Sequence, residues 1–209
     1  MKKSLIIIPT YNEVENIVLM IKTVFEISDA THLLIVDDSS PDGTANKVKS
    51  LQVSYSDKLF LLQREKKEGL GTAYIAGFKW GLNKNYEYFF QMDCDFSHDP
   101  HCLKDFIQFY TSQHADFAIG SRYIKGNGIK DWIFRRVLIS KGASFYIRRV
   151  LSLPIKDPTA GFSIIGAKAL RHIMSHPNRY LCKGFGFQIF IKFITYKAGF
   201  KICEFPIVF

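Results

Sequence analysis

Five short apolar runs recur along the first part of this chain, and each is followed by a polar or glycine-containing loop. The runs cover residues 5–8, 33–36, 59–62, 88–92 and 117–119. Because they are short and rich in β-branched and aromatic residues, they favour buried strands. Stretches with helical spacing of apolar residues, such as 14–25 and 103–110, lie between them. This alternation predicts an α/β fold, a mostly parallel sheet with helices on both faces.

Length and cysteine content limit the class of protein further. At 209 residues and 47% hydrophobic content, the chain is expected to form a single domain over residues 1–209. No segment approaches the ~18 uncharged apolar residues of a membrane-spanning helix, and the apolar run at 5–9 is too short for a signal peptide. The four cysteines show no CxxC spacing, which indicates reduced thiols in a cytosolic protein.

Most of the basic charge lies in one segment. The chain has a formal net charge of +9, and between positions 121 and 150 eight basic residues stand against one acidic residue. Such a concentration attracts nucleic acid, an acidic membrane surface or a phosphorylated substrate. Residues 132–151 combine this charge with many apolar side chains, which favours basic amphipathic helices on an anionic membrane surface. A solvated basic face and a core helix with snorkelling arginines are the alternatives.

The loops after the strands are expected to carry the chemistry, since ligands of open α/β sheets bind beyond the carboxyl ends of the strands. After the fourth run, Asp93 and Asp95 are one residue apart, so both carboxylates can reach Mg²⁺ or Mn²⁺. That ion would neutralise charge on a departing diphosphate, whereas a solvated turn is the simpler alternative. After the second run, Asp38 is expected to face a ligand and Asp42 to cap the next helix.

Cationic residues follow the fifth run. Arg122 comes just past its end, where a guanidinium can bind a diphosphate with paired hydrogen bonds. Arg136 and Ser140 are four residues apart, and therefore on one helical face, with Lys141 next to Ser140. Together these three could hold a phosphate, although each taken alone also suits an ordinary surface position.

Two further motifs are interpreted as local structure. The sequence at 66–74 places glycines before a helix, but it is neither a dinucleotide fingerprint nor a P-loop. Asn12, with Glu15 three residues later, predicts the N-terminal cap of the first helix. The chain has no convincing Ser-His-Asp or Cys-His arrangement for nucleophilic catalysis.

Eight motifs occur in order along nearly the whole chain. They are PTYNE at 9–13, DDSSPDGT at 37–44, REKKEGLGTAY at 64–74, MDCDFSH at 92–98, GSRY at 120–123, ISKGA at 139–143, DPTAGF at 157–162 and GFGFQ at 184–188. In this order they resemble the dolichyl-phosphate mannosyltransferase, or polyprenyl-phosphate sugar transferase, branch of the family 2 glycosyltransferases. The resemblance implies a GT-A fold and metal-assisted, inverting transfer of mannose from GDP-mannose to a polyprenyl phosphate. The alternatives are another nucleotide-sugar such as UDP-glucose, or a catalytically idle scaffold that binds nucleotide-sugar or membrane.

The resemblance also implies roles for individual residues. Those of the nucleotide pocket are Pro9, Tyr11, Glu13, Val36 and Asp38. Those around the Mg²⁺ or Mn²⁺ ion are Asp93, Asp95 and Ser97, with the Cys94 backbone close to the donor. The implied catalytic residues are Asp95 and Arg122, of which Arg122 binds the donor diphosphate. Those of the acceptor phosphate are Arg136, Ser140 and Lys141.

The implied partners are GDP-mannose, a polyprenyl phosphate lipid and the membrane surface, with a membrane partner subunit as a further candidate. The expected location is peripheral, on the cytosolic face of a membrane. Nucleic acid is not an expected partner, since its binding sites usually have a more widely spread cationic surface. Three features depart from the family pattern: Cys94 stands where Ala is usual, Ala160 stands where relatives often have a hydroxylated residue, and relatives continue past Phe209 into a donor-closing segment. The C-terminal part of the domain is therefore expected to be truncated here.

Overall fold

The structure, a computed structural model, describes residues 3–28, 30–124, 134–176 and 184–208, without the side chains of 134–139 and 185. Its strands are β1 (Ser4–Thr10), β2 (His32–Asp37), β3 (Leu59–Gln63), β4 (Tyr88–Gln91), β5 (Phe117–Ser121), β6 (Ser163–Gly166) and β7 (Ile202–Pro206). Its helices are α1 (Ile17–Ile27), α2 (Thr44–Gln52), α3 (Leu70–Asn83), α4 (Leu103–Ser112), α5 (Phe134–Leu151), α6 (Ala167–Ser175) and α7 (Phe185–Lys197). The five predicted strands are confirmed as β1 to β5, and β6 and β7 are additional.

The described strands form one seven-stranded sheet in the order β3-β2-β1-β4-β6-β5-β7. β1 pairs in parallel with β2 and β4, and β2 with β3, as the alternation of strands and helices predicts. β6 runs antiparallel to both of its neighbours, β4 and β5, whereas β7 is parallel to β5. The α/β class is therefore confirmed, with one reversed strand that the sequence pattern does not reveal.

Apolar side chains of the central strands alternate between the two faces of the sheet, so each face has a hydrophobic core. Leu5 and Ile7 of β1 pack on one face with apolar side chains of α3, α6 and α7. Ile6 and Ile8 pack on the other face with side chains of α1 and α4. All four strand side chains are excluded from water, because successive residues of a strand point to opposite faces. The prediction of helices on both faces is confirmed.

The first helix begins later than predicted. α1 starts at Ile17, and its N-cap residue makes no side-chain capping bond, so the predicted cap by Asn12 and Glu15 is wrong. Asn12 has a positive φ of 61°, and its N–H donates to Ser40 Oγ at 3.1 Å. The segment after β1 is therefore bound by the loop after β2.

Asp42 has the structural role that its turn sequence predicts. Its Oδ1 accepts hydrogen bonds from the N–H and the hydroxyl of Thr44, the first residue of α2, at 2.9 and 2.6 Å. Its Oδ2 accepts the N–H of Val14 at 3.0 Å. One carboxylate thus binds the first N–H of α2, whose N-cap residue is Gly43, and joins the loop after β2 to the loop after β1.

The basic and apolar segment forms α5, although residues 132 and 133 of the prediction lie outside the described residues. Phe145, Tyr146 and Val150 of this helix are 67%, 69% and 61% exposed, whereas Ile147 and Leu151 pack against the core. One side of α5 therefore presents apolar side chains to water. Within the described ranges, no helix combines the length and the hydropathy needed to cross a bilayer.

Candidate active site

The carboxyl ends of β1, β2 and β4 meet at one edge of the sheet, because β2 and β4 flank β1. A fully buried carboxylate, Asp37, connects the first two strand ends. Its Oδ1 accepts hydrogen bonds from Thr10 Oγ1 at 2.9 Å and Ser40 Oγ at 2.6 Å, and its Oδ2 accepts the N–H of Ser40 at 3.0 Å. Asp37 therefore holds in place the loop on which Asp38 lies.

The carboxylate of Asp38 lies against Arg64, which directly follows β3. Nε and Nη2 of Arg64 donate to the two carboxylate oxygens at 2.6 Å each, and Nη1 donates to Thr72 Oγ1 at 2.9 Å. The Arg64 and Asp38 side chains are only 12% and 7% exposed, and paired, charge-assisted bonds of this kind are strong. Asp38 is thus oriented by Arg64, a residue of the motif at 64–74 for which no role was predicted.

The other residues predicted for the nucleotide pocket lie at the same edge. Tyr11 is 38% exposed, and the Lys67 ammonium lies 3.8 Å from the centre of its ring. Pro9 is the register partner of Val36 in the parallel pair of β1 and β2. The side chain of Val36 is fully buried in the core, so only its backbone is available to a ligand.

The predicted metal-binding loop follows β4. The side chain of Asp93 is 35% exposed, and the Tyr74 hydroxyl lies 3.4 Å from its Oδ1. Asp95 is exposed, and its Oδ1 accepts the N–H of Ser97 at 3.0 Å. Cys94 between them is buried, and this burial raises the pKa of its thiol above the usual value. The carboxylates of Asp93 and Asp95 are therefore accessible to water, whereas the thiol of Cys94 is buried.

The electrostatics of this loop favour a bound cation. Burial, together with the negative charges of Asp95 and Glu13, raises the pKa of Asp93 to about 6. Carboxylate oxygens are the ligands that Mg²⁺ and Mn²⁺ prefer, and a divalent ion would relieve the repulsion among these groups. Within the described part of the chain, no group of three or more Asp, Glu, His or Cys side chains is arranged to hold a metal ion.

His98, for which no role was predicted, lies beside this loop. It is 3% exposed, its ring stacks on Phe162 with centroids 5.2 Å apart, and its Nδ1 is 3.9 Å from Asp93 Oδ2. Burial lowers the pKa of His98 to about 4, so the ring is neutral near pH 7. It therefore packs against the loop without adding a positive charge. Its place three residues after Asp95 is the only sequence signal for this contact.

Arg122 follows β5 and is held by the loop between α5 and β6. Its Nε and Nη2 donate to the two carboxylate oxygens of Asp157 at 2.7 Å each, and Nη2 also donates to Thr159 Oγ1 at 3.0 Å. The backbone N–H of Arg122 donates to the same carboxylate at 3.1 Å. Asp157 is fully buried, so it fixes the guanidinium predicted to bind a diphosphate.

Asp93 and Arg122 line the same small cavity, of about 70 Å³. Its wall also includes Leu70 at the start of α3 and Gln188 on α7. Gln188 is 1% exposed, and neither polar atom of its amide has a hydrogen-bond partner among the described residues. Burying such an amide without partners is costly, so the cavity favours a ligand with polar groups.

A larger cavity, of about 810 Å³, lies at the opposite end of the sheet. Its lining includes Tyr88, where β4 begins, and Gly166, where β6 ends. The loops that carry Asp38, Asp93 and Arg122 take no part in it. The smaller cavity is therefore the candidate site, because Asp93 and Arg122 both line it, whereas Asp38 and Asp95 lie outside its lining.

Residues predicted to bind the acceptor phosphate lie on α5. The Ser140 hydroxyl is 2.6 Å from the hydroxyl of Tyr123, which follows Arg122 in the chain. Lys141 is exposed. The side chain of Arg136 lies outside the described residues, so its predicted contact with a phosphate stays a prediction. The Tyr123 contact brings at least Ser140 next to the loop that carries Arg122.

The fold and the site together define a class of protein. A mostly parallel sheet with one reversed strand, whose carboxyl edge carries an acidic pair and an arginine, is the architecture of a GT-A glycosyltransferase. The family model described as "Glycosyl transferase family 2" matches residues 5–174. The chain belongs to glycosyltransferase family 2, and it is a glycosyltransferase.

Similar proteins carry names from one branch of this family. The polyprenol monophosphomannose synthase of Mycolicibacterium smegmatis is 39% identical over 208 residues, which cover 100% of this chain and 77% of that protein. The undecaprenyl-phosphate mannosyltransferase of Micrococcus luteus is 38% identical, over 98% of this chain and 82% of that protein. The dolichol-phosphate mannosyltransferase of Pyrococcus furiosus is 34% identical, over 98% of this chain and 55% of that protein.

Solved structures support the fold. Glucosyl-3-phosphoglycerate synthase from Mycobacterium tuberculosis, in complex with Mn²⁺, UDP and phosphoglyceric acid, superposes with a TM-score of 0.71. The match covers 99% of this chain and 69% of that chain at 14% sequence identity. The same enzyme with Mn²⁺ and UDP-glucose also gives a TM-score of 0.71, at 15% identity over 99% of this chain and 70% of that chain. At such identities the likeness establishes the fold.

Proposed function

We propose that this glycosyltransferase moves mannose from GDP-mannose to the phosphate of a polyprenyl lipid, with inversion at the sugar carbon. The three relatives are named for mannosyl transfer to polyprenol, undecaprenyl phosphate and dolichol phosphate. The structural observation that carries the proposal is the cavity shared by Asp93 and Arg122. It joins a carboxylate suited to a metal ion with a cation suited to a diphosphate. In this proposal residues 1–209 act as a single GT-A domain.

Asp93 and Asp95 would hold a Mg²⁺ or Mn²⁺ ion, with Ser97 beside them. Two adjacent carboxylates and the raised pKa of Asp93 support this assignment, and glucosyl-3-phosphoglycerate synthase is known in complex with Mn²⁺. A metal bound there would stabilise the negative charge of the leaving diphosphate. The Tyr74 hydroxyl, close to Asp93 Oδ1, would keep that carboxylate directed towards the cavity.

The nucleotide would lie along the ends of β1 and β2. Asp38, oriented by Arg64, would accept hydrogen bonds from the base or the ribose. The half-exposed ring of Tyr11 would offer an aromatic surface to the base. Pro9 and Glu13, with the backbone of Val36, would complete this part of the pocket.

The acceptor phosphate would attack the sugar carbon, and Arg122 would assist departure of the diphosphate. A phosphate monoester is already anionic at neutral pH, with a second pKa of about 6, so its attack on the sugar carbon needs little help from a general base. Arg122, held by Asp157, would stabilise charge on the leaving diphosphate. Ser140 and Lys141, with Arg136, would bind the acceptor phosphate. Positioning of the two substrates would then account for most of the rate.

Gln188 would contact the donor sugar. Its buried amide faces the same cavity as Asp93 and Arg122 and has no hydrogen-bond partner among the described residues. A sugar hydroxyl both donates and accepts hydrogen bonds, so it can satisfy either amide atom. The cavity has the volume of about two water molecules, so it can hold a hydroxyl-bearing part of a hexose but not the whole ring.

The lipid acceptor would reach the site along α5. The exposed apolar side chains of Phe145, Tyr146 and Val150 lie next to Arg148 and Arg149 on this helix. Apolar and cationic groups on one helix suit the surface of an anionic bilayer. The enzyme would therefore bind the cytosolic face of a membrane as a peripheral protein.

A transfer assay tests the function directly. The protein is incubated with radiolabelled GDP-mannose, a short polyprenyl phosphate and Mn²⁺, and label is counted in the organic phase. We expect lipid-soluble label that is lost with EDTA and falls by about two orders of magnitude in D95N, which removes one charge from the loop. E15Q, at an exposed position between β1 and α1, is the matched control and should retain activity.

Two other outcomes would contradict the proposal. Label from UDP-glucose but none from GDP-mannose would overturn the choice of donor. Binding of GDP by calorimetry without transfer from either donor, even in detergent with the acceptor, would indicate the catalytically idle scaffold.

A further inference from the structure

Lys192 of α7 is fully buried, which is rare for a lysine. Its Nζ donates to three backbone carbonyls, those of Ala160 at 2.7 Å, Pro158 at 3.1 Å and Gln188 at 3.3 Å. An ammonium group has three N–H donors, so all of them are used. Two of the three acceptors lie in the loop between α5 and β6.

That loop contacts both halves of the candidate active site. At its start, Asp157 binds the guanidinium of Arg122 with two hydrogen bonds of 2.7 Å. Further along, Gly161 approaches Asp93 so closely that an added Cβ would lie 3.3 Å from the carboxylate Oδ2. The position of the loop therefore affects the orientation of both Arg122 and Asp93.

Different elements hold the start and the middle of this loop. Glu204 of β7 accepts the N–H groups of Lys156 and Asp157 at 2.8 and 3.0 Å, which ties the start of the loop to the sheet. The carbonyls of Pro158 and Ala160 are tied to α7 by Lys192. Lys192 thus joins α7 to the segment between the Arg122 contact and the Asp93 contact.

We propose that Lys192 is a positioning residue for sugar transfer, which acts on the donor site through the loop at 157–161. It holds two carbonyls of that loop, and the loop orients Arg122 and supports Asp93. This inference rests on the proposed function, because it takes Asp93 and Arg122 as parts of the donor site.

The charge state of Lys192 gives the proposal a measurable signature. The pKa of Lys192 is lowered to about 7, mainly by burial and also by the charge of Arg122, although the charges of Asp157 and Glu204 oppose the shift. The ammonium therefore loses its proton as the pH rises through about 7. A neutral amine has one donor fewer and no charge, so its bonds to the loop weaken above that pH.

The experiment uses K192M, which keeps the length of the side chain and removes the ammonium. K197M makes the same change at an exposed position of the same helix and is the matched control. With GDP-mannose, polyprenyl phosphate and Mn²⁺ at pH 6.5, we expect kcat to fall between about 10- and 100-fold in K192M. The KM for the lipid acceptor and all constants of K197M should stay near wild type. The wild-type kcat should decline above pH 7, and this alkaline decline should be absent in K192M.

A second measurement is independent of activity. The Nε–H of Arg122 is protected by its bond to Asp157, so its signal in ¹⁵N-arginine NMR reports the position of the loop. We expect faster hydrogen exchange of this group in K192M than in the wild type at the same pH. Because base catalysis accelerates exchange in every variant, the wild type should also show a rise above pH 7 that exceeds the rise in K192M. K192Q, which retains an amide donor, should be intermediate and serves if K192M does not fold. Wild-type exchange in both variants would overturn the role of Lys192, whereas a wild type without transfer activity would overturn the proposed function.

Discussion

The carboxylate of Asp38 and the guanidinium of Arg64 are joined by two hydrogen bonds of 2.6 Å at the carboxyl end of β2. Both side chains are nearly buried, so removing one partner leaves the other charge without compensation. For R64M we expect a loss of about 3 kcal/mol in the free energy of unfolding, a fall in Tm of roughly 6–12 °C. GDP binding should also weaken, because Asp38 loses its orientation.

Thermal unfolding and calorimetric titration with GDP measure these effects. R171M replaces an exposed arginine of α6 and should leave both quantities unchanged. If R64M has the Tm of the wild type, the pair contributes no net stability.

Metal binding should depend on pH through Asp93. The pKa of this carboxyl is raised from 3.8 to about 6, so the folded protein holds a proton there that the unfolded chain has lost. The contribution of Asp93 to stability therefore falls as the pH rises from about 4 through 6. A divalent ion binds only the ionised form, so its affinity should fall about tenfold for each pH unit below 6.

The rise of Tm with added MnCl₂ measures this dependence. We expect a clear increase at pH 7 and little at pH 5, with no increase at either pH in D93N. Equal increases in the wild type at both pH values would show that Asp93 does not take part in metal binding.

Replacing Gln188 should separate recognition of the sugar from recognition of the nucleotide. Q188L removes a buried amide without partners among the described residues, so we expect Tm to rise slightly. The affinity for GDP should persist, while the advantage of GDP-mannose over GDP should fall about tenfold with the lost hydrogen bond.

Parallel titrations with GDP and GDP-mannose give this ratio. Q108L, at an exposed position of α4, is the control for a change from glutamine to leucine. An unchanged ratio in Q188L would remove Gln188 from the sugar site.

The hydroxyl of Ser140 should act on the acceptor and not on the donor. A hydrogen bond to a charged phosphate contributes about 1.5–3 kcal/mol, so S140A should raise the KM for polyprenyl phosphate by about 10- to 100-fold. The KM for GDP-mannose should stay constant. S144A, one helical turn further along α5, is the matched control because Ser144 Oγ has no hydrogen-bond partner among the described residues. A rise in the KM for GDP-mannose with an unchanged KM for polyprenyl phosphate would show that Ser140 binds the donor and not the acceptor.

Much of the fold could be predicted because its signals are local. The apolar runs that became β1 to β5 are bounded by turn residues, and the loops after them hold Asp38, Asp93 and Arg122. Neither β6 nor β7 has such a signal. β6 has four residues and ends in a glycine, and β7 includes Glu204 and Pro206, which are unfavourable in strands.

The contacts that shape the site were less predictable, because each joins residues far apart in the chain. Arg64 and Asp38 are 26 residues apart, and Arg122 and Asp157 are 35 residues apart. The motifs identify these residues as candidates, but no periodicity states which carboxylate binds which guanidinium. The packing of the loop between α5 and β6 against β5 settles the second pair.

By itself the sequence determined the alternation of strands and helices, the family and the set of polar residues at the strand ends, since hydrophobic periodicity and contiguous motifs depend only on neighbours along the chain. Tertiary structure alone decided that β6 is reversed, that Asp93 and Arg122 share a cavity, and that a buried lysine supports the loop between them. These features depend on which surfaces exclude water from one another, and that is settled only when all the layers of the domain pack together.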